Sequence, residues 1–333
     1  MTVELRVVDP SDEAVLRDWW EVGHAAEAER PHSPWPKWAQ SRVALPAHNP
    51  ERELTLVTAY DGGSPVGASM FSLPTKDNDH LAFVELWVLP QRRREGIATL
   101  LSRDLDARAA AAGRSTLLAE AKGLPGTVIP GERFALAQGY QVANEEQEKD
   151  LDLTTAPSTW APLDDEVAEH AAAYRIETFD TVYPDHLIDG IARLLSSFYS
   201  QVPLGETDLR DSEWTPERLR AHEARLVEIR RSVISAVAVS DDGEVAAFSD
   251  IRVSHLAPET AEVGVTIVAP EHRGHRLGYA VKLAGHRRVL ADFPDCVRAT
   301  TCNADTNTAM NLVNERMGYV PTERLLELQK RLD

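Results

Sequence analysis

Two basic, glycine-containing segments are where this chain's residue types and order point to a ligand. Val88-Leu89-Pro90-Gln91-Arg92-Arg93-Arg94-Glu95-Gly96-Ile97-Ala98 is matched, position for position, by Val268-Ala269-Pro270-Glu271-His272-Arg273-Gly274-His275-Arg276-Leu277-Gly278. Each follows an apolar, strand-like run, opens a segment of helical period, and has a Gly-Tyr pair downstream, Gly139-Tyr140 and Gly318-Tyr319. A helix entered from such a loop presents unpaired backbone N–H groups and the positive end of its dipole, where anions settle. Small residues at Gly96 and Ala98, or at Gly274 and Gly278, let a pyrophosphate approach the main chain, and arginines add charge-assisted hydrogen bonds. A short glycine pattern alone is weak evidence. The Val-x-Pro before it, the Gly-Tyr after it and the repetition make it specific, and a repeat this long indicates a duplicated domain, since solenoid periods run only about 20–50 residues.

The elements that must position these loops also repeat. In the first half, Val3 to Val8 reads as a strand, Pro10-Ser11-Asp12 as a helix start, and Leu54 to Tyr60 and Val66 to Ser72 as a hairpin around Asp61-Gly62-Gly63. His80 to Val88 is the strand into the first loop, Thr99 to Ala112 its helix, Thr116 to Ala121 the next strand, and Gly131 to Gln138 a short helix. In the second half, Tyr174 to Phe179, the hairpin Val233 to Val239 with Val245 to Val253, and Thr260 to Val268 lead into the second loop. Tyr279 to Ala291 is its helix, Val297 to Cys302 the strand after it, and Thr306 to Met317 the last helix. Hairpins before the loop predict α+β domains, each with a mixed, mostly antiparallel sheet flanked by helices. The predicted division is 1–155, a polar, proline-containing linker 156–171, and 172–333.

With 43% hydrophobic and 26% charged residues the composition is that of a soluble globular protein. No apolar run approaches the ~18 residues that span a bilayer, and Met1 to Leu5 lacks the layout of a signal peptide. A cytoplasmic location is the expectation, with Cys296 and Cys302 reduced. The net charge of −18 argues against nucleic-acid or membrane partners and favours a cationic small molecule. The histidines show no metal spacing, so no metal is expected.

The paired loops resemble those of the GNAT acyl-CoA-dependent N-acetyltransferases, here over the whole chain as a tandem pair. The family's coenzyme A signature, Gln/Arg-x-x-Gly-x-Gly/Ala after Val-x-Pro, is met at Arg93, Gly96 and Ala98. In the second copy Arg273 and Gly278 match, Arg276 stands at the middle glycine, and Gly274 partly offsets it. The resemblance implies a splayed crevice for the pantetheine arm, with acetyl-CoA as cosubstrate. The residues it assigns to cofactor binding are Val88, Arg93, Arg94, Glu95, Gly96, Ile97 and Ala98, then Val268, Arg273, Gly274, His275, Arg276, Leu277 and Gly278, with Asn303 and Asn307.

For catalysis it implies direct attack of a primary amine on the thioester, with a carboxylate or ordered water removing the ammonium proton. Glu262 occupies a position where some relatives carry that base. The first copy has Ala82 there and offers Glu85. The usual acid is a tyrosine four residues before the late glycine; Asn314 stands there in the second copy and Ala135 in the first. The second copy is therefore expected to carry the chemistry and the first to be structural, in a monomer or homodimer. Two other functions fit the sequence: an acyl-CoA-binding pseudoenzyme that regulates a partner, and a protein or peptide N-acetyltransferase. Trp19, Trp20, Trp35 and Trp38 fall where acceptors bind in this family, but core packing is the commoner use of such a cluster.

Overall fold

A computed structural model describes residues 3–33 and 35–332; the ends of the predicted domains, at residues 1, 2 and 333, lie outside them. The elements in chain order are β1 (Val3–Val7), α1 (Glu13–Glu27), α2 (Trp38–Ala44), β2 (Arg52–Asp61), β3 (Ser64–Pro74), β4 (Leu81–Val88), α3 (Ile97–Ala111), β5 (Thr116–Gly123), α4 (Pro130–Ala137) and β6 (Gln141–Asp152). They continue with α5 (Ala161–His170), β7 (Tyr174–Asp180), α6 (Ile188–Ser196), α7 (Phe198–Gln201), α8 (Pro216–Glu228), β8 (Arg231–Ser240), β9 (Val245–Ser254), β10 (Ala257–Val268), α9 (Leu277–Asp292), β11 (Arg298–Ala304), α10 (Thr308–Met317) and β12 (Val320–Arg331). No helix among the described residues is long and apolar enough to cross a membrane.

The chain forms two compact units that do not coincide with the halves of the sequence. The first comprises Met1–Glu146, Leu204–Arg210 and Glu323–Asp333; the second comprises Gln147–Pro203 and Asp211–Thr322. The predicted boundaries are corrected in three places. Residues 323–333 and 204–210 belong to the first unit. Residues 156–171 are not a linker but a short 3-10 turn and α5, with Trp160 fully buried and its Nε1 donating to Met317 O at 2.9 Å.

In the first unit the sheet order is β1-β2-β3-β4-β5-β12, antiparallel except for β4 beside β5. Leu56 and Val57, adjacent in β2, turn to opposite faces, as strand alternation requires. Leu56 packs with Trp19 and Trp20 of α1, and Val57 with Ile97 and Leu101 of α3. Asp12 caps α1 by accepting from Ala14 N–H at 3.0 Å, as the sequence predicts.

In the second unit the order is β6-β11-β10-β9-β8-β7, with β10 and β11 the parallel pair. Val237 and Phe248 face α6 and α8, while Ala236, Ala238 and Ala247 face α9. These alanines let α9 lie close to the sheet. Both units are α+β with helices on both faces, as expected.

Candidate active site

The two basic segments trace the same corner. Pro90–Arg92 and Pro270–His272 are single 3-10 turns, after which Arg93 (φ −68°, ψ 155°) and Arg273 (φ −70°, ψ 157°) are extended. Two residues then enter the left-handed region in each copy: Arg94 (φ 69°) and Gly96 (φ 86°), Gly274 (φ 90°) and Arg276 (φ 56°). Glycine and arginine have exchanged places while the path is kept. Such a path beside a helix start gathers successive N–H groups into an anion-binding concavity. The first N–H groups of α3 and α9, from Ile97, Ala98, Leu277 and Gly278, have no intrahelical acceptor.

The side chains sort themselves around these backbones. Ile97 and Leu277 are buried and offer a ligand only their main chain; Val88 and Val268 also pack inward, toward α3 and α9. Arg92 bridges Asp61 (2.7 Å) and Glu95 (2.9 Å), tying the first corner to the β2–β3 turn. His272 does the same in the second, 3.5 Å from Glu244 and 3.0 Å from the Tyr174 hydroxyl. Arg93 reaches Glu29 (2.6 Å), Arg273 reaches Gln201 (2.8 Å) and Arg276 lies 3.3 Å from Glu166. Arg94 and His275 are exposed, and a β-carbon at Gly278 would meet only Val313, at 3.9 Å.

Each corner opens onto a splayed strand pair. β4 pairs with β5 only from Leu81 to Phe83, and β10 with β11 only from Thr260 to Glu262, although all four strands run on. The freed edges leave main-chain groups for an extended ligand.

The crevices differ. β4 stays in register with β3 from Phe83 to Val88, whereas β10 is irregular against β9 between Val263 and Thr266. Asp250 of β9 sits under this bulge, accepting from Val265 N–H and lying 3.5 Å from Arg252. A β-carbon at Gly264 would fall 2.6 Å from Asp250 Oδ1, so the glycine is what lets the carboxylate approach. Burial raises the proton affinity of Asp250, and Arg252 opposes that rise. The adjoining crevice, about 490 Å³ with its open mouth, is lined by Gly264, Thr266, Thr301, Asn303 and Asn307, with Lys282 at its floor.

A polar chain runs through that floor. Lys282 Nζ donates to Asn314 Oδ1, and Asn314 Nδ2 to Asn303 Oδ1, each at 2.9 Å. Lys149 Nζ donates to Asn303 and Asn311, also at 2.9 Å. Asn307 caps α10 by accepting from Met310 N–H at 3.2 Å while still facing the crevice.

In the first unit the gap is lined instead by the carboxylates of Glu85, Glu120 and Glu327, with Thr207 and Leu209 against it. Glu206 N–H donates to Ala143 O and Asp208 N–H to Gln329 Oε1, each at 2.7 Å, seating Leu204–Arg210 there. Glu85 retains surface exposure, yet the protein packed around it and neighbouring Glu120 push its carboxyl up to about 7. Glu327 is likewise pushed up to about 7, by burial and then Glu146.

Sequence reasoning placed the base at Glu262. That side chain is exposed, 3.5 Å from Arg252 and 4.0 Å from Arg231, and does not line the crevice. Asp250 and Lys282 were not singled out. Their signal was a lone charge inside an apolar run, Val245-Ala246-Ala247-Phe248-Ser249-Asp250-Ile251 and Ala280-Val281-Lys282-Leu283-Ala284. Trp19 and Trp20 belong to the core, with Trp35 and Trp38 partly buried against it, so packing accounts for the cluster.

A sequence model described as "Acetyltransferase (GNAT) family" matches residues 14–122. Among solved structures, a tandem GNAT protein from the clavulanic acid biosynthesis pathway is similar at 26% identity and a TM-score of 0.79, covering 99% of this chain and 98% of that one. A GCN5-related N-acetyltransferase from Sphaerobacter thermophilus matches at 14% identity and 0.67, covering 99% and 95%. N-myristoyltransferase from Saccharomyces cerevisiae matches at 13% and 0.59, covering 99% and 79%; these last two show likeness of fold. A search of curated proteins finds no match.

Proposed function

Because the chain belongs to the GNAT acetyltransferase superfamily and carries its fold twice, we propose that it transfers an acetyl group from acetyl-CoA to a primary amine of a small molecule, in the second unit. The observation that supports this reading is the bulge of β10 with Asp250 beneath it, beside a crevice that opens from an anion-binding corner. β4 has neither the irregularity nor a carboxylate partner for it in β3.

The corner from Arg273 to Gly278 holds the diphosphate through main-chain amides and the Arg273 guanidinium. The freed edge of β10 hydrogen-bonds the pantetheine arm, and the main chain at Gly264 faces the thioester carbonyl. Asp250, whose proton affinity is raised, takes the proton from the incoming ammonium, so that the neutral amine attacks directly. The net charge of −18 favours a cationic acceptor.

Incubation with acetyl-CoA and a panel of amines, following free thiol, tests the proposal. Saturable, amine-dependent release is expected; release no faster than hydrolysis with every amine would count against it. A second reading, an acyl-CoA-binding module without turnover, is favoured by Asn314 and Ala135 standing where a tyrosine acid is expected. Calorimetric binding of acetyl-CoA with no turnover would select it.

A further inference from the structure

Lys282 is a buried ionisable group of the second crevice that the acyl-transfer reading leaves without a task. It projects from the second turn of α9, is 1% exposed, and reaches the crevice floor near Gly264, Asn303 and Asn307. Its ammonium donates to Asn314 Oδ1 at 2.9 Å and stands 5.2 Å from the centre of the Tyr319 ring. Among the described residues no carboxylate pairs with it. Burying an ammonium without a counter-charge is costly, and a methionine of similar length would fill the same space without that cost.

The groups facing Lys282 come from three neighbouring elements and from α9 itself. Lys149 of β6 adds a second positive charge behind Asn303 of β11, and Asn311 and Asn314 of α10 supply neutral amides. His286, one turn on in α9, is bonded to the Tyr319 hydroxyl at 2.6 Å and held neutral, its pKa lowered to about 3. Burial first, and Lys149 second, bring the Lys282 ammonium down to about 7. Such an ammonium gives its proton readily to a thiolate, whose conjugate thiol has an ordinary pKa of about 8.5.

Resting on the acyl-transfer reading above, we propose that Lys282, held by Asn314, is the general acid of the second crevice and protonates the departing coenzyme A thiolate. Attack by the neutral amine forms the C–N bond. Collapse of the tetrahedral intermediate breaks the C–S bond and leaves its electron pair on sulfur. The proton moves from Lys282 Nζ to that sulfur, giving the free thiol and a neutral lysine. Asp250 passes the ammonium proton to solvent before attack and then takes the proton that the amine nitrogen loses as the amide forms, and exchange with solvent resets both groups.

The test uses the full chain with acetyl-CoA and an amine that turns over. Lys282→Arg keeps the positive charge and a donor for Asn314, but a guanidinium does not release protons. The expected result is a fall in kcat of roughly 100- to 10,000-fold, with acetyl-CoA affinity by calorimetry within a few-fold of the parent. The parent's fall in kcat above a pH of about 7 should vanish in the variant. A thioester of a more acidic aryl thiol, which needs no protonation to leave, should recover most of the loss. Parent-like turnover by Lys282→Arg, or a loss that the aryl thioester does not relieve, would overturn the role of Lys282 alone. Should the variant not fold, a parent profile flat through this region overturns it equally. No amine-dependent thiol release by the parent would instead overturn acyl transfer itself, and the role with it.

Discussion

Gly96 and Arg276 hold the same left-handed position at the start of equivalent helices, with φ of 86° and 56°. An arginine in that region carries backbone strain of order 1–3 kcal/mol, and its half-buried partner Glu166, which also pairs with Arg316, returns little. Arg276→Gly should therefore raise stability by about 1 kcal/mol once the greater freedom of glycine in the unfolded chain is subtracted. Thermal melts of the two proteins at equal concentration check this.

Gly278 offers a cleaner probe of the anion cradle than Gly96. It is helical and has room for a side chain, whereas any residue at 96 must also bear a positive φ. Gly278→Glu should abolish acetyl-CoA binding at the second corner while leaving the melting temperature within a few degrees. Calorimetric titration would show one fewer site than the parent; an unchanged stoichiometry means that the second corner does not bind the diphosphate.

Asp250→Asn should lower kcat by about 100-fold or more, because the amide still accepts from Val265 N–H but takes up no proton. Glu262→Gln, altering an exposed group already matched to two arginines, should stay within a few-fold. Steady-state rates with one amine decide between the two carboxylates, and the reverse ranking would return the base to Glu262.

The contribution of Glu327 to stability should fall as pH rises from about 4.5 to 7. Glu327 has a native pKa pushed up to about 7 from 4.5, so in this window the unfolded chain sheds its proton while the folded one keeps it. The stability is complete below 4.5 and lost as the pH passes the native value. Glu327→Gln should then be nearly neutral at pH 4 and stabilising at pH 8. Urea titrations at both pH values measure it.

Trp160→Ala should cost about 3–5 kcal/mol, since the indole is fully buried and donates to Met317 O. Chemical denaturation reads this directly, and a cost below 1 kcal/mol would mean that 156–171 is as dispensable as a linker.

The corners were legible because their signal is local. Arg93, Gly96 and Ala98, or Arg273 and Gly278, lie within a few residues of each other, and the path they need is written in adjacent glycines. The hairpins and the capped start of α1 were legible for the same reason. The segment 156–171 misled because Pro162 reads as a breaker, while in the structure it opens α5, where a missing N–H costs nothing. β6 and β12 were missed because Asn144-Glu145-Glu146-Gln147-Glu148-Lys149-Asp150 is too polar for a strand, and Leu325-Leu326-Glu327-Leu328 mixes its periods. Asp250 and Lys282 acquire meaning only from partners distant in sequence, Val265 and Asn314. No spacing rule joins those pairs, and the bulge that aims Asp250 exists only once β9 and β10 are aligned.

The pairing of β12 with β5, from Arg324↔Gly123 to Arg331↔Thr116, has a consequence for biosynthesis. During translation the sheet of the first unit stays open along β5 until residues near 331 have left the ribosome, although nearly everything else in it is made before residue 147. A nascent chain arrested in between would expose that edge to other chains, as unpaired strands do. Emergence of β12, rather than completion of the amino-terminal part, is thus the moment at which the first sheet can close.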